Sequence, residues 1–301
     1  MKNNMYMKKI LVIGSSNTDM TVKSSHLPAP GETVMGDRFV MGPGGKGANQ
    51  AVAAARLGGD VTFICKVGRD VFGEKAIEGY RKDNIDTQHI MLSDQPSGVA
   101  LILVDGGGEN SISVAPGANG DLTPADIESK ADVIRSADIL ILQLEIPVES
   151  VEKAVSIAKE AGVYVILNPA PAKRLPEELL ENVSLLTPNQ SELEILTGIK
   201  GDVRAGLDAL VERGVGEVIL TLGSKGSMVY SGGEPVLIPA LKVDAVDTTA
   251  AGDTFCGALA VAISEGKSLT DAARFATCAS ALTVQKMGAQ VSIPYRKDMK
   301  Y

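Results

Sequence analysis

Between Asp60 and Leu186, strand-like apolar runs alternate with segments of helical spacing, and few folds accommodate that alternation. The clearest strands are Val61 to Lys66, Ile139 to Leu142 and Tyr164 to Asn168; the clearest helices are Asp70 to Lys82, Pro124 to Arg135 and Val148 to Ala161. Tight turns cannot join parallel strands, so each return carries a helix over the sheet. The pattern therefore predicts an α/β protein with a mostly parallel sheet covered on both faces. Lys9 to Gly14 is another continuous apolar run and reads as a buried strand. With 301 residues the chain has room for one large α/β domain or two smaller ones.

Two regions break the alternation. Met20 to Met41 holds strand-like pieces, Met20 to Val22 and Arg38 to Met41, around Pro28-Ala29-Pro30-Gly31, and no helix is legible there. Val99 to Val104 and Ser111 to Val114 flank Asp105-Gly106-Gly107-Gly108, a turn that favours a hairpin. A small sheet made of such pieces has too little core to stand alone, so it should lean on the main domain or pair with a second copy. Partners are bounded by charge: a net −8 with a pI near 5.0 argues against nucleic acid or an anionic membrane. Cys65, Cys256 and Cys278 lack metal-like spacing and read as reduced core residues of a cytoplasmic protein. Met1 to Lys9 leads into only a short apolar run and is not a signal peptide, and no window is long and apolar enough to span a membrane. With only His26 and His89, histidine catalysis and multi-histidine metal sites are improbable.

Two stretches rich in small residues carry the chemistry. Asp247 to Gly257, Asp-Thr-Thr-Ala-Ala-Gly-Asp-Thr-Phe-Cys-Gly, follows an alternating run from Pro235 to Val246 and opens a helix-spaced segment from Ala250 to Glu265. Amides at a helix start lack intrahelical partners and sit at the positive end of the dipole, so they draw an anion. An aspartate there would repel a phosphate, which makes Asp253 more useful as the base for a hydroxyl that attacks it. The alternative is an ordinary first-turn carboxylate, favoured in any helix. The second stretch is Gly42 to Ala51, a glycine-rich loop leading into an alanine-rich helix from Asn49 to Leu57 that Gly58-Gly59 ends. It is no Walker A loop, because Gly47 follows Lys46 and Val40 occupies the first glycine position.

Polar residues punctuate several strand ends. Ser15 to Asp19 follows the first strand, where open α/β sheets bind ligands; Asn17 and Asp19 suit a polyol and suit a plain turn equally. Glu145 stands just beyond Leu142, and Asn168, which reads as structural, ends another strand. Asn189 and Glu192 have the spacing of a capping box. Val218 to Leu222 followed by Gly223-Ser224-Lys225-Gly226-Ser227 reads as strand, turn, strand, and Ser268 to Lys286 as a long helix with Gly288 past its end.

Asp247 to Phe255 and Gly42 to Ala51 resemble the two signatures of the PfkB carbohydrate kinases, and the resemblance spans nearly the whole chain. It implies a three-layer α/β/α domain with a small β-sheet lid, the lid built from about residues 17–42 and 96–115 and the nucleotide half from about 187–301. Asp253 falls on the family's general base, and the amides of Ala251, Gly252 and Asp253 on its anion hole. Asn17, Asp19, Gly45, Lys46, Asn49 and Glu145 fall on sugar-binding positions. Asn189, Glu192, Thr221, Gly223, Ser224, Lys225 and Gly226 fall on positions that serve ATP and Mg²⁺, while Thr277 stands where relatives often have His or Asn beside adenine. Asp247, Thr249, Thr283, Lys286, Gly288 and Ser292 would surround an activating K⁺. The activity implied is ATP-dependent phosphorylation of D-ribose at its 5-hydroxyl, by a cytoplasmic homodimer that pairs through the lid. A relative acting on deoxyribose, fructose or a nucleoside would keep Asp253 and differ in the sugar pocket. A sugar sensor without catalysis would have lost the base or the anion hole, and both are present. A nicotinamide dehydrogenase would need further spaced glycines after Gly14.

Overall fold

A computed structural model describes residues 8–300, so the stretch before the first strand, up to Met7, lies outside the described residues. In chain order come β1 (Lys9–Ile13), β2 (Asn17–Lys23), β3 (Arg38–Gly44), α1 (Lys46–Arg56), β4 (Asp60–Ile64), β5 (Lys66–Gly68), α2 (Val71–Lys82), β6 (Met91–Ser93), β7 (Gly98–Val104) and β8 (Asn110–Ala115). The middle of the chain forms α3 (Pro124–Glu128), α4 (Ala131–Arg135), β9 (Ile139–Leu142), α5 (Val148–Glu160), β10 (Tyr164–Leu167), α6 (Glu177–Leu180) and β11 (Leu185–Leu186). Then follow α7 (Gln190–Thr197), α8 (Val203–Glu212), β12 (Glu217–Thr221), β13 (Ser227–Tyr230), β14 (Val236–Ile238), α9 (Ala251–Ser264) and α10 (Leu269–Thr283).

Eight strands form the central sheet in the order β14-β13-β12-β11-β10-β9-β1-β4; β12 to β4 run parallel and the β13 and β14 pairings are antiparallel. Successive side chains of a strand point to opposite faces, and β1 divides its own accordingly. Ile10 and Val12 join a core with α1, α9 and α10, whereas Leu11 and Ile13 join a second core with α3, α5 and α8. Helices thus cover both faces, which gives the three layers. Every residue of β1 from Ile10 to Ile13 is fully buried, as a strand apolar at every position requires.

Beside this body stands a four-stranded sheet, order β3-β2-β7-β8, with β2 and β7 parallel. Only Gly14, Ser15 and Ser16 separate β1 from β2, so the chain passes straight from one sheet into the other. Asn119 clamps that corner: its Oδ1 accepts the Ser16 amide at 2.8 Å and its Nδ2 donates to Asn17 Oδ1 at 2.6 Å. A Cβ at Gly98, on the neighbouring β7, would stand 2.2 Å from Asn119 Nδ2 and 2.3 Å from Asn17 Oδ1, so only glycine fits there.

Several elements differ from their sequence-based expectation. The helix expected over Pro124 to Arg135 is two short helices parted at Ser129 and Lys130, the first fixed by a capping box between Thr123 and Asp126. The helix expected from Asn49 starts at Lys46, because Gly45, at φ 90°, makes the turn that a side chain would block. Val61 to Lys66 is divided between β4 and β5. Of the alternating run Pro235 to Val246 only β14 is strand; the remainder lies over the body as irregular chain with Leu241, Val243 and Val246 exposed. The last long helix stops at Thr283 rather than Lys286.

Candidate active site

Helices α1 and α9 approach unusually closely because their facing residues are small. A Cβ at Gly257 would lie 2.6 Å from both the Gln50 carbonyl oxygen and Ala53 Cβ. That closeness brings two side chains of α1 to Asp253 in the first turn of α9. Asn49 Nδ2 donates to Asp253 Oδ2 at 2.8 Å, and Gln50 Nε2 donates to Oδ1 at 3.3 Å. The residue ahead of the helix, Ala250, is left-handed at φ 60°, which costs an alanine on the order of 1 kcal/mol. The amide of Ala251 donates to the Thr248 carbonyl at 3.2 Å and that of Thr254 to Ala250 at 2.8 Å. No protein acceptor among the described residues meets the amides of Gly252 and Asp253. Of the three amides expected to form an anion hole, Ala251's is therefore engaged and the other two are open, at the positive end of a 14-residue helix.

Two clefts meet at this helix start. The first, of about 230 Å³, is polar and is lined by Lys46, Asn189, Glu192, Thr248, Gly252 and Asp253 among others. The second, of about 470 Å³, is mostly apolar, with Thr221, Gly223, Ser224, Gly226, Leu241, Val243, Phe255 and Thr277 in its walls. Thr221, Thr248 and Gly252 line both, so a molecule with an apolar body and an anionic tail can lie across them. Lys225 is exposed and is not part of either wall. Thr277 is in the apolar wall, but its hydroxyl donates to the Ala273 carbonyl of its own helix at 2.8 Å.

Charged groups from α1, β2, α7 and the loop after β9 surround this site. Lys46, at the start of α1, is held above the usual lysine range by the charge of Asp253, against the opposing effect of burial, with Glu145 and Glu192 adding to the rise. Glu145 is fixed by the Ser15 hydroxyl at 2.6 Å and the Lys46 amide at 3.0 Å, both on Oε2, which leaves Oε1 free of protein donors among the described residues. Asp19 on β2 has no donor at all among them. Its carboxyl is pushed up to about 6 by burial first, then by the charges of Glu145 and Asp253, with Lys46 opposing. It packs over Gly44, where a Cβ would come within 2.2 Å of its oxygens. Asn17 lies beside it on β2, 7% exposed and with its Oδ1 taken by Asn119. Glu192 closes the capping box with Asn189, accepting its amide at 2.7 Å; burial raises its carboxyl, and that amide and Lys46 pull the other way.

Of the residues expected around potassium, Asp247, Thr249 and Gly288 are joined directly by hydrogen bonds. Asp247 accepts from the Thr249 amide at 2.9 Å and hydroxyl at 2.6 Å, and from the Gly288 amide at 2.8 Å. Burial would raise its carboxyl, yet these bonds, led by the Thr249 hydroxyl, hold it below the usual range. The amides of Val246 and Asp247 donate to the Val284 carbonyl, and that of Lys286 to Thr283, so the end of α10 and the loop before α9 form one assembly. Ser292 is buried, its hydroxyl bonded to the Ala289 carbonyl at 2.7 Å.

Sequence reasoning missed part of the site. Gly44 and Gln50 lie within the Gly42 to Ala51 stretch but carried no assigned role, Asn119 left no pattern at all, and the wall formed by residues 240–245 was hidden in what read as a strand. Asn168, read as structural, does brace the site: its Nδ2 donates to the Thr187 carbonyl at 3.0 Å, and its Oδ1 accepts from Gln50 at 3.3 Å.

Residues 7–296 match the model of the pfkB family carbohydrate kinase. The chain is 43% identical over 296 residues to a ribokinase of Haemophilus influenzae, covering 97% of each. It is 45% identical over 298 residues to a bifunctional ribokinase/ribose-5-phosphate isomerase A of Fructilactobacillus sanfranciscensis, and the match covers 97% of this chain but only 55% of that protein. Among solved structures, Arabidopsis thaliana ribokinase complexed with ribose and ATP superposes with a TM-score of 0.89 at 34% identity, over 98% of this chain and 100% of that one.

Proposed function

The chain belongs to the pfkB family of carbohydrate kinases, and we propose that it transfers the γ-phosphoryl group of ATP to the 5-hydroxyl of D-ribose, giving D-ribose 5-phosphate and ADP. The observation that carries this reading is the meeting of three things at Asp253. These are a buried carboxylate, two open helix-start amides beside a polar cleft, and a cluster of Asp19, Lys46 and Glu145 still lacking partners for its free oxygens.

Sugar hydroxyls supply the donors that Asp19 and Glu145 lack, and Lys46, Asn17, Asn49 and the Gly45 turn complete that side of the pocket. Asp253 takes the proton of the attacking hydroxyl as its oxygen bonds to the γ-phosphorus and the bond to the ADP oxygen breaks. Charge on the transferred group falls against the amides of Gly252 and Asp253, preset in the protein. The adenosine fits the apolar cleft beside Thr277, with Thr221, Gly223, Ser224 and Gly226 along the path of the phosphates and ribose.

Glu192 suits magnesium: one oxygen is bound to the Asn189 amide and the other is available at the polar cleft. Bound through water there, the ion would offset phosphate charge. Asp247, kept ionised by three donors, with the carbonyls of Thr249, Thr283, Lys286 and Gly288 and with Ser292, makes an oxygen set fit for potassium. An ion at that place would stiffen the loop leading to Ala250.

The four-stranded sheet acts as the lid of the sugar pocket and as a dimer surface. Phe39 and Met41 project from one face with Leu101, while Val40, Ile112 and Val114 project from the other, and all six are exposed. So much apolar surface on so small a sheet calls for a second copy to cover it. Free thiols at Cys65, Cys256 and Cys278 support a cytoplasmic setting, and no helix among the described residues is long and apolar enough to cross a membrane.

The test is a panel of ribose, deoxyribose, fructose and a nucleoside with ATP, read by coupled ADP detection, first in sodium and then in potassium. Ribose should give the highest kcat/KM, higher still in potassium. Another acceptor overtaking ribose would overturn the substrate assignment.

A further inference from the structure

Beneath Asp253 lies a buried chain of carboxamides that the reaction does not itself require. Gln143 Nε2 donates to Gln50 Oε1 at 2.7 Å, and Gln50 Nε2 donates both to Asp253 Oδ1 and to Asn168 Oδ1, each at 3.3 Å. Gln50 and Gln143 are fully buried. Carboxamides can ordinarily flip, but here each orientation is dictated. The Thr187 carbonyl can only accept, so Asn168 must turn its NH₂ toward it and its oxygen toward Gln50. An ionised Asp253 can likewise only accept, so both ends demand the NH₂ of Gln50 between them. The oxygen of Gln50 is thereby left to Gln143.

The arrangement also has a visible loss. With its NH₂ committed to Gln50, Gln143 keeps Oε1 buried and without a partner among the described residues, a condition the fold tolerates at a typical cost on the order of a hydrogen bond. Gly14 makes room for that oxygen, since a Cβ there would stand 1.9 Å from it. Gln50 and Gln143 are shut off from solvent, and the opposite carboxylate oxygen is held by Asn49, whose own Oδ1 is buried and has no partner among the described residues.

We propose that Gln50, locked by Gln143 and Asn168, is a positioning residue that fixes the Asp253 carboxylate as an acceptor and aims it at the sugar hydroxyl. Gln50 acts through Asp253 alone and holds no substrate atom. The inference rests on the phosphoryl-transfer reading above. Other ionisable groups face Asp253 as well: Lys46 from α1, Asp19 from β2, Glu192 from α7 and Cys256 from α9 itself, with Glu145 after β9 acting on Lys46 and Asp19. A pH effect of Gln50 must therefore be read at saturating ribose, where changes in sugar binding drop out of kcat.

Three full-length variants test it: Gln50→Met, Gln143→Met and the double variant, each checked for native circular dichroism. Gln50→Met should lower kcat about tenfold with the KM for ribose within twofold, and the acid-side fall of kcat should move up by about one pH unit, as loss of one bond to a charged acceptor requires. Gln143→Met should show the same two changes to a smaller degree, and the double variant should lose no more than Gln50→Met, because Gln143 reaches Asp253 only through Gln50. Wild-type kcat with an unmoved pH profile in Gln50→Met, or losses that simply multiply in the double variant, would overturn the proposal. If Gln50→Met does not fold, Gln143→Met decides alone by the same two readouts. A wild-type protein that leaves ribose unphosphorylated refutes the parent reading instead.

Discussion

Asp19 is held in a setting that opposes its own charge, and replacing it should make the sugar-free protein more stable. Its carboxyl titrates at about 6 in place of its ordinary 3.8, chiefly because it is buried without a donor. The folded protein thus holds this proton more tightly than the unfolded chain does, so stability falls as pH rises from about 4 through 6 and stays lower above that. Asp19→Asn keeps the shape and removes the titration. Working the linkage between those two values, the variant should gain about 1 kcal/mol over the wild type at pH 4.5 and about 3 kcal/mol at pH 7.5. For a chain of this size that corresponds to a melting temperature raised by roughly 5 °C at the higher pH. Scanning calorimetry of both proteins without sugar, from pH 4.5 to 7.5, measures it. Ribose should reverse the ranking, because the substitution replaces one of the two carboxylate oxygens by a donating NH₂ and removes the negative charge that strengthens the bonds from sugar hydroxyls. Melting temperatures that stay parallel across the range would refute the argument that burial dominates at this carboxyl.

Asp253→Ala should lower kcat by on the order of 10²-fold to 10⁴-fold, the range of positioned acid–base groups, and turnover at the wild-type rate would remove it from the reaction. Gly98→Ala pushes on Asn17 and Asn119 together, so the KM for ribose should rise by about tenfold, the equivalent of one lost hydrogen bond, with kcat little changed. Asp247→Ala should abolish the difference in rate between sodium and potassium buffers, which steady-state kinetics in the two salts would reveal.

The layered body was legible because its strands are apolar at every position and its returning segments have helical spacing, a pattern that burial on both faces imposes. Pro124 to Arg135 kept helical spacing through Lys130, yet the chain breaks there, since spacing records which face is buried and not whether the backbone stays continuous. The run after Pro235 alternates like a strand, but past Ile238 it joins no strand among the described residues and forms a cleft wall instead. Asp253 and Lys46 stood out because an acid or a lysine among glycines and alanines calls for a reason. Gln50 did not, being one more polar residue in an alanine-rich helix. Its significance comes from Gln143 and Asn168, 93 and 118 positions away, which only the fold brings near.

The three-residue passage from β1 into β2 has one more result. Asp19 and Asn17 ride on the outer sheet, whereas Asp253 is anchored in the body, and β3 hands the chain on to Lys46 through a single glycine. Two of the four places where the chain enters or leaves the outer sheet are therefore built into the walls of the pocket. Any change in the angle between the two sheets becomes, without intermediate gearing, a change in the distance from hydroxyl-gripping side chain to proton acceptor.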